Sequence, residues 1–167
     1  MAHFEEKLLV LPDESETDRL GRCLAKALAA IAPEVRESGF NIRLDGTLGA
    51  GKTTLTRAML RALGVTGRVK SPTFTLVESY DTPVSPVHHF DFYRFETPEE
   101  FDDAGFRDLF GKGKTTVCEW SEKALPYLPE ADLTVAISLA GEGREARLIP
   151  ETENGSRAAL EVEKAWN

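Results

Sequence analysis

Cysteine and long apolar runs are scarce in this sequence. Its 167 residues include two cysteines, Cys23 and Cys118, which lie far apart and lack metal-ligand spacing. They form neither a disulfide framework nor a zinc motif. The first residues, 1–7, lack the basic-then-apolar pattern of a secretory signal. No apolar run approaches the roughly 18 residues that a membrane-spanning helix needs. These absences predict a reduced, cytoplasmic protein.

Basic residues are also fewer than acidic residues. The chain has 20 Lys and Arg against 28 Asp and Glu, which gives a formal net charge of -8. Binding to nucleic acid by electrostatics alone needs a basic face that displaces counterions, so independent nucleic-acid binding is disfavoured. Arg57, Arg61, Arg68 and Lys70 cluster in the sequence, and they predict either a local basic patch or a solvated helix face and loop.

A glycine-rich segment at 46–53 satisfies the phosphate-binding pattern Gly-x-x-x-x-Gly-Lys-Thr. A short apolar strand is predicted just before it at 40–44, and helical spacing of Leu55 and Met59 predicts a helix just after it. In this pattern small residues let backbone N–H groups surround phosphate, the lysine binds the β/γ oxygens and the threonine hydroxyl binds magnesium. The predicted nucleotide-binding residues of the segment are Gly49, Ala50, Gly51, Lys52, Thr53 and Thr54.

The alternation of predicted elements indicates an α/β fold. Further strands are predicted at 4–11, 74–80, 87–92, 115–119, 133–139 and 146–149, and the pair 74–80 and 87–92 is predicted to form an antiparallel hairpin. A helix is predicted after residues 12–15, with its end near Pro33. We therefore expect a single P-loop NTPase-type domain over 1–150 with a mostly parallel central sheet and flanking helices. A polar tail, able to form a helix, is expected over 151–167.

Two acids compete for the magnesium site. Phosphoryl transfer needs an acidic residue at the end of a buried strand to hold magnesium. Asp91 and Glu119 each end an apolar run, and each could equally be a carboxylate at the surface end of a strand. Thr73, in Ser71-Pro72-Thr73, is a candidate for a loop that senses the γ-phosphate, or belongs to an ordinary turn.

The sequence also bears on which base the nucleotide carries and on the roles of four ring-bearing residues. The sequence has no Asn-Lys-x-Asp segment of the kind that reads guanine in many GTPases, which favours ATP. Trp120 and Tyr93 could stack on the base or fill the core. His88 and His89 are adjacent on a predicted strand and should point to opposite faces, so a catalytic histidine is disfavoured.

Four segments together resemble the TsaE (YjeE) family of bacterial ATPases of tRNA threonylcarbamoyladenosine biosynthesis. They are LGAGKTT at 48–54, VKSPTFTLVE at 69–78, HFDFYR at 89–94 and EWSE at 119–122. The resemblance extends over roughly 40–149 and is far more specific than a phosphate loop alone. One departure is Thr47, where the family commonly has aspartate. It leaves phosphate binding in place, and the effect on loop shape or partner contact stays open.

The resemblance implies an α/β P-loop fold and weak ATPase activity, with ATP/ADP and Mg²⁺ as cofactors. This activity would support TsaB and TsaD, which place threonylcarbamoyl on the adenosine beside the anticodon, so tRNA would be contacted through the complex. It further implies roles for individual residues. They are a switch threonine at Thr73, a magnesium-site aspartate at Asp91, an acid beside the nucleotide that assists hydrolysis at Glu119, a nucleotide neighbour at Trp120 and an adenine-side residue at Thr17.

Two other functions fit a compact phosphate-loop protein. A small-molecule kinase would pass the γ-phosphate to a metabolite, with Arg94 or Arg107 as a clamp on the acceptor. A nucleotide-gated binding module would use ATP only to order the loop 71–73 for a partner. Recovery of phosphate on a metabolite would indicate the first, and partner binding that survives loss of hydrolysis would indicate the second.

Overall fold

The structure, a computed structural model, describes residues 4–47 and 49–167, so Leu48 of the phosphate loop and residues 1–3 lie outside the described residues. The strands are Lys7–Leu11 (β1), Phe40–Asp45 (β2), Val77–Tyr80 (β3), Val87–Asp91 (β4), Thr115–Glu119 (β5), Leu133–Ala140 (β6) and Gly143–Pro150 (β7). The helices are Glu14–Ala30 (α1), Ala32–Ser38 (α2), Lys52–Ala62 (α3), Glu100–Asp103 (α4) and Glu153–Trp166 (α5). Within the described part of the chain, each helix is too short or too polar to cross a membrane.

The seven strands form one mixed sheet in the order β1-β7-β6-β2-β5-β4-β3. The four central strands are parallel, as β2 pairs in parallel with β5 and β6, and β4 pairs in parallel with β5. Both edges are antiparallel: β3 pairs with β4 as the predicted hairpin, while β7 and β1 extend the other side. The predicted α/β fold is confirmed. Because the central strands run in one direction, their carboxyl ends meet at one edge, where ligands bind in such sheets.

One face of the sheet carries α1, α3 and α5. Leu20, Leu24 and Leu28 recur at helical spacing along α1 and are buried in the main core, as their periodicity predicts. A Cβ at Gly21 would lie 2.5 Å from the Cβ of Ala58, so glycine permits the close approach of α1 to α3. The end of α1 at Ala30 lies three residues before Pro33, near the predicted end. Pro33 itself lies in the first turn of the next helix, α2, where its missing N–H costs no hydrogen bond.

The opposite face of β4 and β5 packs against an aromatic cluster, which consists of Phe90, Phe92, Phe95 and Phe101 with the partly buried Phe106 and Phe110. Ring centroids in this cluster lie 5.0 to 5.9 Å apart for pairs such as Phe92–Phe95 and Phe92–Phe101. Since side chains alternate along a strand, Phe90 faces this cluster while His89 and Asp91 face the main core side. The aromatic cluster thereby fixes which face of β4 the acid occupies.

The segment 151–167 forms α5 rather than a solvated polar tail. Thr152 caps the helix, because its Oγ1 accepts a hydrogen bond of 3.1 Å from the backbone N–H of Gly155. Ala158, Ala159 and Val162 are buried in the main core beside α1 and β7. The prediction of a helix is confirmed, and the polar description is corrected by this amphipathic spacing. The division of the chain at residue 150 stays a prediction.

Gly155 is a position where an added methyl group should be costly. A Cβ there would overlap the backbone carbonyl of Asp132, which cannot move without displacing the start of β6. We expect Gly155→Ala to lower the free energy of unfolding by about 1–3 kcal/mol, the usual range for overpacking. Gly67→Ala is the matched control, because no described atom lies within 4 Å of a Cβ at Gly67. Urea unfolding of both variants measures the difference, and equal stabilities would contradict the expectation.

Candidate functional site

The phosphate loop joins the end of β2 to the start of α3, the order that the sequence predicts. Gly51 precedes α3 with φ 107°, a left-handed conformation that glycine adopts without strain. No described side chain caps the first turn of α3. Its free backbone N–H groups and the positive end of the helix dipole therefore suit an anion. Gly49, Ala50, Gly51, Thr53 and Thr54 all lie in this loop and first turn.

Lys52 is buried and folded back over the phosphate loop. Its Nζ donates a hydrogen bond of 2.8 Å to the carbonyl oxygen of Gly46 and lies 4.4 Å from the centroid of the Trp120 ring. Trp120, which follows β5, has φ 56° and packs on Tyr93 with ring centroids 5.0 Å apart. The structure thus brings Lys52 and Trp120 together, and the lysine has an acceptor that phosphate oxygens could replace.

Asp91 and Glu119 end neighbouring strands and are partners in the register of β4 and β5. Both are buried, with exposed fractions of 5% and 4%. Asp91 accepts hydrogen bonds from the Thr73 hydroxyl at 3.2 Å and from the backbone N–H of Tyr93 at 2.9 Å. Thr73, Asp91 and Glu119 therefore form one connected group, so the two acids that compete in the sequence lie side by side.

Burial raises the pKa of Asp91 above that of an ordinary aspartate, and the negative charge of Glu119 raises it further. The hydrogen bonds from Tyr93 and Thr73 act in the opposite direction. Two neighbouring buried carboxylates repel each other, and a divalent cation would relieve this repulsion. The electrostatics of the pair therefore suit a metal ion.

The donors present fit Mg²⁺. Among residues 4–47 and 49–167, no group of three His, Cys, Asp or Glu side chains is placed to hold a metal by itself. Magnesium is commonly held by one or two carboxylates together with substrate phosphates and water, so a complete protein cage is not required. The carboxylates of Asp91 and Glu119 are oxygen donors of this kind, and Glu119 pairs in register with Leu44, just before the phosphate loop. The hydroxyl of Thr53, in the first turn of α3, is a further oxygen donor.

Glu119 has a buried partner in His89. The two side chains lie 2.6 Å apart, between His89 Nε2 and Glu119 Oε2. His88 points to the other face of β4, where its Nδ1 lies 2.7 Å from the Ser79 hydroxyl. The opposite orientation of the two histidines is confirmed. The contact of His89 with Glu119 is one that sequence reasoning missed, because 30 residues separate them and only the register of β4 and β5 brings them together.

A cavity of about 460 Å³ lies beside the phosphate loop, on the side away from the two acids' strands. Thr17 of α1 lines it and is buried, and a Cβ at Gly51 would lie 3.8 Å from its Cγ2. The volume falls in the usual range for sites of small molecules. The other lining residues are Leu11, Pro12, Asp13, Glu14, Gly49, Ala50, Gly51, Thr54, Glu142, Gly143 and Arg144.

The turn between β6 and β7 contributes residues to this cavity that sequence reasoning missed. Arg144 donates a hydrogen bond of 3.2 Å from Nε to the carbonyl oxygen of Ala50, and one of 3.3 Å from Nη2 to that of Gly49. The sequence predicts a turn at 141–143 and gives no signal that it touches the phosphate loop. Arg144 fixes the direction of two loop carbonyls, and hence of the peptide N–H groups that follow them.

Arg144→Ala is expected to weaken binding of ADP by roughly 5- to 30-fold, since two hydrogen bonds that order the loop contribute about 1–2 kcal/mol together. Isothermal titration calorimetry with ADP measures the change. Arg147→Ala is the control: Arg147 lies on the same strand, points to the other face of the sheet and approaches Glu6. An unchanged ADP affinity in Arg144→Ala, or an equal loss in both variants, would contradict the assignment.

The remaining cationic candidates lie in other environments. Arg107 donates to a carboxylate oxygen of Asp102 and to the carbonyl oxygen of Tyr127, while the Arg94 guanidinium stacks 4.1 Å from the ring of Phe74. Arg57 and Arg61 line a groove between α1 and α3 that also holds Arg22 and the acidic Asp18. This groove carries charges of both signs, so the clustering seen in the sequence does not produce a uniformly basic face.

Comparisons with known proteins agree with this geometry. The family model described as threonylcarbamoyl adenosine biosynthesis protein TsaE matches residues 11–149. A tRNA threonylcarbamoyladenosine biosynthesis protein TsaE from Haemophilus influenzae is 43% identical over 145 residues, which cover 87% of this chain and 90% of that protein. One from Bacillus subtilis is 35% identical over 139 residues, covering 83% and 85%. The crystal structure of Bacillus subtilis YdiB superposes with a TM-score of 0.75 at 25% identity, over 100% of both chains.

Proposed function

Because the chain belongs to the TsaE family of threonylcarbamoyl adenosine biosynthesis proteins, we propose that it is a Mg²⁺-dependent ATPase that supports TsaB and TsaD. In this proposal those partners form threonylcarbamoyladenosine next to the anticodon, and the chain contacts tRNA through them in the cytoplasm. Family membership itself places the chain in tRNA threonylcarbamoyladenosine biosynthesis and in the nucleotide-binding P-loop class. The proposal adds three things to family membership: that the nucleotide is ATP, that the chain hydrolyses it, and that TsaB and TsaD are the partners.

The observation that carries the proposal is the position of Glu119, which pairs in register with Leu44 just before the phosphate loop and with Asp91, the acceptor of the Thr73 hydrogen bond. Lys52 would leave the Gly46 carbonyl and bind the β/γ oxygens of ATP, while backbone N–H groups of 49–51 surround the β-phosphate. Thr54, in the first turn of α3, would reach the α-phosphate. This arrangement holds the phosphates rigidly, which is most of what phosphoryl transfer requires from a protein.

Magnesium, when bound, would neutralise charge that develops on the transferred phosphoryl oxygens. Thr53 and Asp91 would hold it, with Glu119 close enough to take part through water or directly. Glu119 would also orient the attacking water and accept its proton. Thr73 would report the γ-phosphate; its hydrogen bond to Asp91 supports this role, since a third phosphate would reorder the loop that carries it.

The nucleoside would occupy the cavity beside the loop. Thr17 lines the cavity on the α1 side and Arg144 on the β7 side, so both would enclose the adenine end of the nucleotide. Trp120 would lie at the phosphate end of the nucleotide rather than at the base, because its ring contacts Lys52 and does not line this cavity. Movement of Lys52 onto phosphate would release Trp120, so the fluorescence of this residue should report nucleotide binding.

Release of inorganic phosphate from ATP tests the proposal. The chain is assayed alone and with TsaB, TsaD and tRNA, each with and without Mg²⁺. We expect a slow intrinsic rate that rises only when the partners are present. The absence of stimulation would contradict a partner-controlled ATPase. Phosphate recovered on a metabolite would indicate the kinase, and partner binding that needs ATP but survives loss of hydrolysis would indicate the nucleotide-gated module.

A further inference from the structure

His89 is a buried titratable residue to which the proposed hydrolysis assigns no role. It lies on β4 two residues before Asp91, and hence on the same face of the sheet as that acid. Its side chain is 1% exposed, and its Nε2 lies 2.6 Å from Oε2 of Glu119, whose side chain is 5% exposed. A heavy-atom separation this short is typical of a hydrogen bond that involves a charged group.

The hydrogen bond has a definite direction. Nδ1 of His89 is buried and has no partner among the described residues. If the ring proton were on Nδ1, a buried N–H would be left unbonded, and Glu119 would have to be protonated to donate to Nε2. With the proton on Nε2, only a lone pair at Nδ1 is left without a partner, and the ionised carboxylate gains a donor. His89 therefore donates from Nε2 to Glu119.

The consequence is a constraint on the proposed catalytic carboxylate. A glutamate side chain has three rotatable bonds, and fixing its carboxylate requires a partner that is itself held in place. His89 meets this condition, because it is buried on β4, which has a paired strand on each side, so its ring has little room to turn. Main-chain pairing of β4 with β5 holds the two residues' backbones in register, His89 with Val117 and Asp91 with Glu119.

We propose that His89 is a positioning residue, which holds the carboxylate of Glu119 in the orientation needed to align water for attack on the γ-phosphate. This inference rests on the proposed ATPase function and adds to it the residue on which Glu119 depends. Among the described residues, Glu119 is the hydrogen-bond partner of the His89 ring. Loss of His89 should therefore lower turnover and leave nucleotide affinity in place.

The ligand-free protein gives the first test. ¹H–¹⁵N correlation spectra of the histidine rings assign the tautomer, and we expect His89 to carry its proton on Nε2 with a downfield Hε2 signal. Glu119→Gln should move that signal, whereas Asp81→Asn, at an exposed position after β3, should not. A proton found on Nδ1, or a signal that does not respond to Glu119→Gln, overturns the proposal without any use of hydrolysis.

Matched substitutions give the second test. His89→Gln places an amide donor near the position of Nε2, His89→Asn has the same amide but falls short, and His89→Leu has no donor. With TsaB, TsaD and tRNA present, we expect kcat to fall about 10- to 100-fold in the Leu and Asn variants, since small misplacements of a catalytic group have effects of this size. The Gln variant should recover most of the loss, and KM and ADP affinity should stay close to those of the unmodified chain.

His88→Gln is the control on the neighbouring position, whose partner is Ser79 on the other face of β4. An equal kcat in the three His89 variants and in His88→Gln overturns the positioning role. A loss of kcat in His89→Leu and His89→Asn that parallels a loss of melting temperature or of ADP affinity overturns it as well. An unmodified chain that the partners do not stimulate contradicts the proposed function, and the inference with it. An active chain that is indifferent to His89 contradicts the inference alone.

Discussion

Lys52→Ala is expected to lower kcat/KM for ATP hydrolysis on the order of 10²- to 10³-fold, which would leave little measurable activity. Losses of this size follow when one preorganised hydrogen-bond donor to the charge that develops in the transition state is removed. The physical reason lies in the environment of Lys52. Lys52 is 6% exposed, and its ammonium group is held by the Gly46 carbonyl and the ring of Trp120. A cation in this position needs little rearrangement to meet the β/γ oxygens.

Partner-stimulated phosphate release and calorimetry with ADP and ATP measure the effect of Lys52→Ala. Arg57→Ala is the control, since it removes a cation from the exposed face of the same helix without touching the phosphate loop. We expect the control to keep its turnover. If Lys52→Ala hydrolysed ATP at an undiminished rate while remaining folded, the assignment of the phosphate site would be wrong.

Asp91→Asn is expected to lower Mg²⁺-dependent turnover by about 100-fold or more, as it removes the charge that holds the metal beside the phosphates. The amide should preserve the local structure, because its oxygen can accept from the backbone N–H of Tyr93 and its nitrogen can donate to the Thr73 hydroxyl. In the proposed site, the metal needs a carboxylate at position 91, whereas folding does not. Function and stability should therefore change in opposite directions.

The expected sign of the stability change follows from the raised pKa of Asp91. A carboxyl group whose pKa is higher in the folded than in the unfolded protein favours folding while protonated, and this contribution is lost as pH rises through the folded pKa. At pH 7 without Mg²⁺, Asp91→Asn should therefore unfold at a higher temperature than the unmodified chain. Below about pH 4, where the carboxyl is protonated in both states, the two proteins should converge.

Thermal unfolding across this pH range, with and without Mg²⁺ and ADP, measures both effects of Asp91→Asn. Asp81→Asn is the control at an exposed acid, and it should change neither turnover nor melting temperature appreciably. Retention of full Mg²⁺-dependent turnover by Asp91→Asn would remove Asp91 from the metal site. A melting temperature lowered at pH 7 would show that its hydrogen bonds outweigh the cost of burying its charge.

Asp91→Asn is expected to lower turnover and to raise the melting temperature. Such a trade-off is typical of functional positions, where a charged group is kept buried although its burial lowers the stability of the fold. The pair Asp91 and Glu119 places two carboxylates side by side at the buried ends of β4 and β5. The Nδ1 of His89, whose Nε2 contacts Glu119, has no hydrogen-bond partner in the part of the chain that the structure describes. Binding of the nucleotide and its metal should therefore raise the stability of the chain as well as fill the site.

Much of the fold was predictable because its signals are local. The glycine pattern at 46–53 with its flanking strand and helix predicts the phosphate loop, and the alternation at Val87–Asp91 predicts which residues share a face. Gly64, just beyond α3, has φ 103°, the left-handed conformation in which glycine commonly ends a helix. The boundary near Pro33 is ambiguous for a local reason: only Ile31 separates the end of α1 at Ala30 from the start of α2 at Ala32, so Pro33 could mark the end of one helix or the start of the next.

The sequence by itself determined that this chain has a phosphate loop, an α/β fold and the motifs of the TsaE family, because short-range spacing sets backbone conformation and alternation. Only the tertiary structure decided that Asp91 and Glu119 are neighbours, that His89 holds Glu119 and that Arg144 holds the phosphate loop. These contacts join residues 28 to 94 positions apart. The order and register of strands bring such residues together, and no local spacing encodes that order.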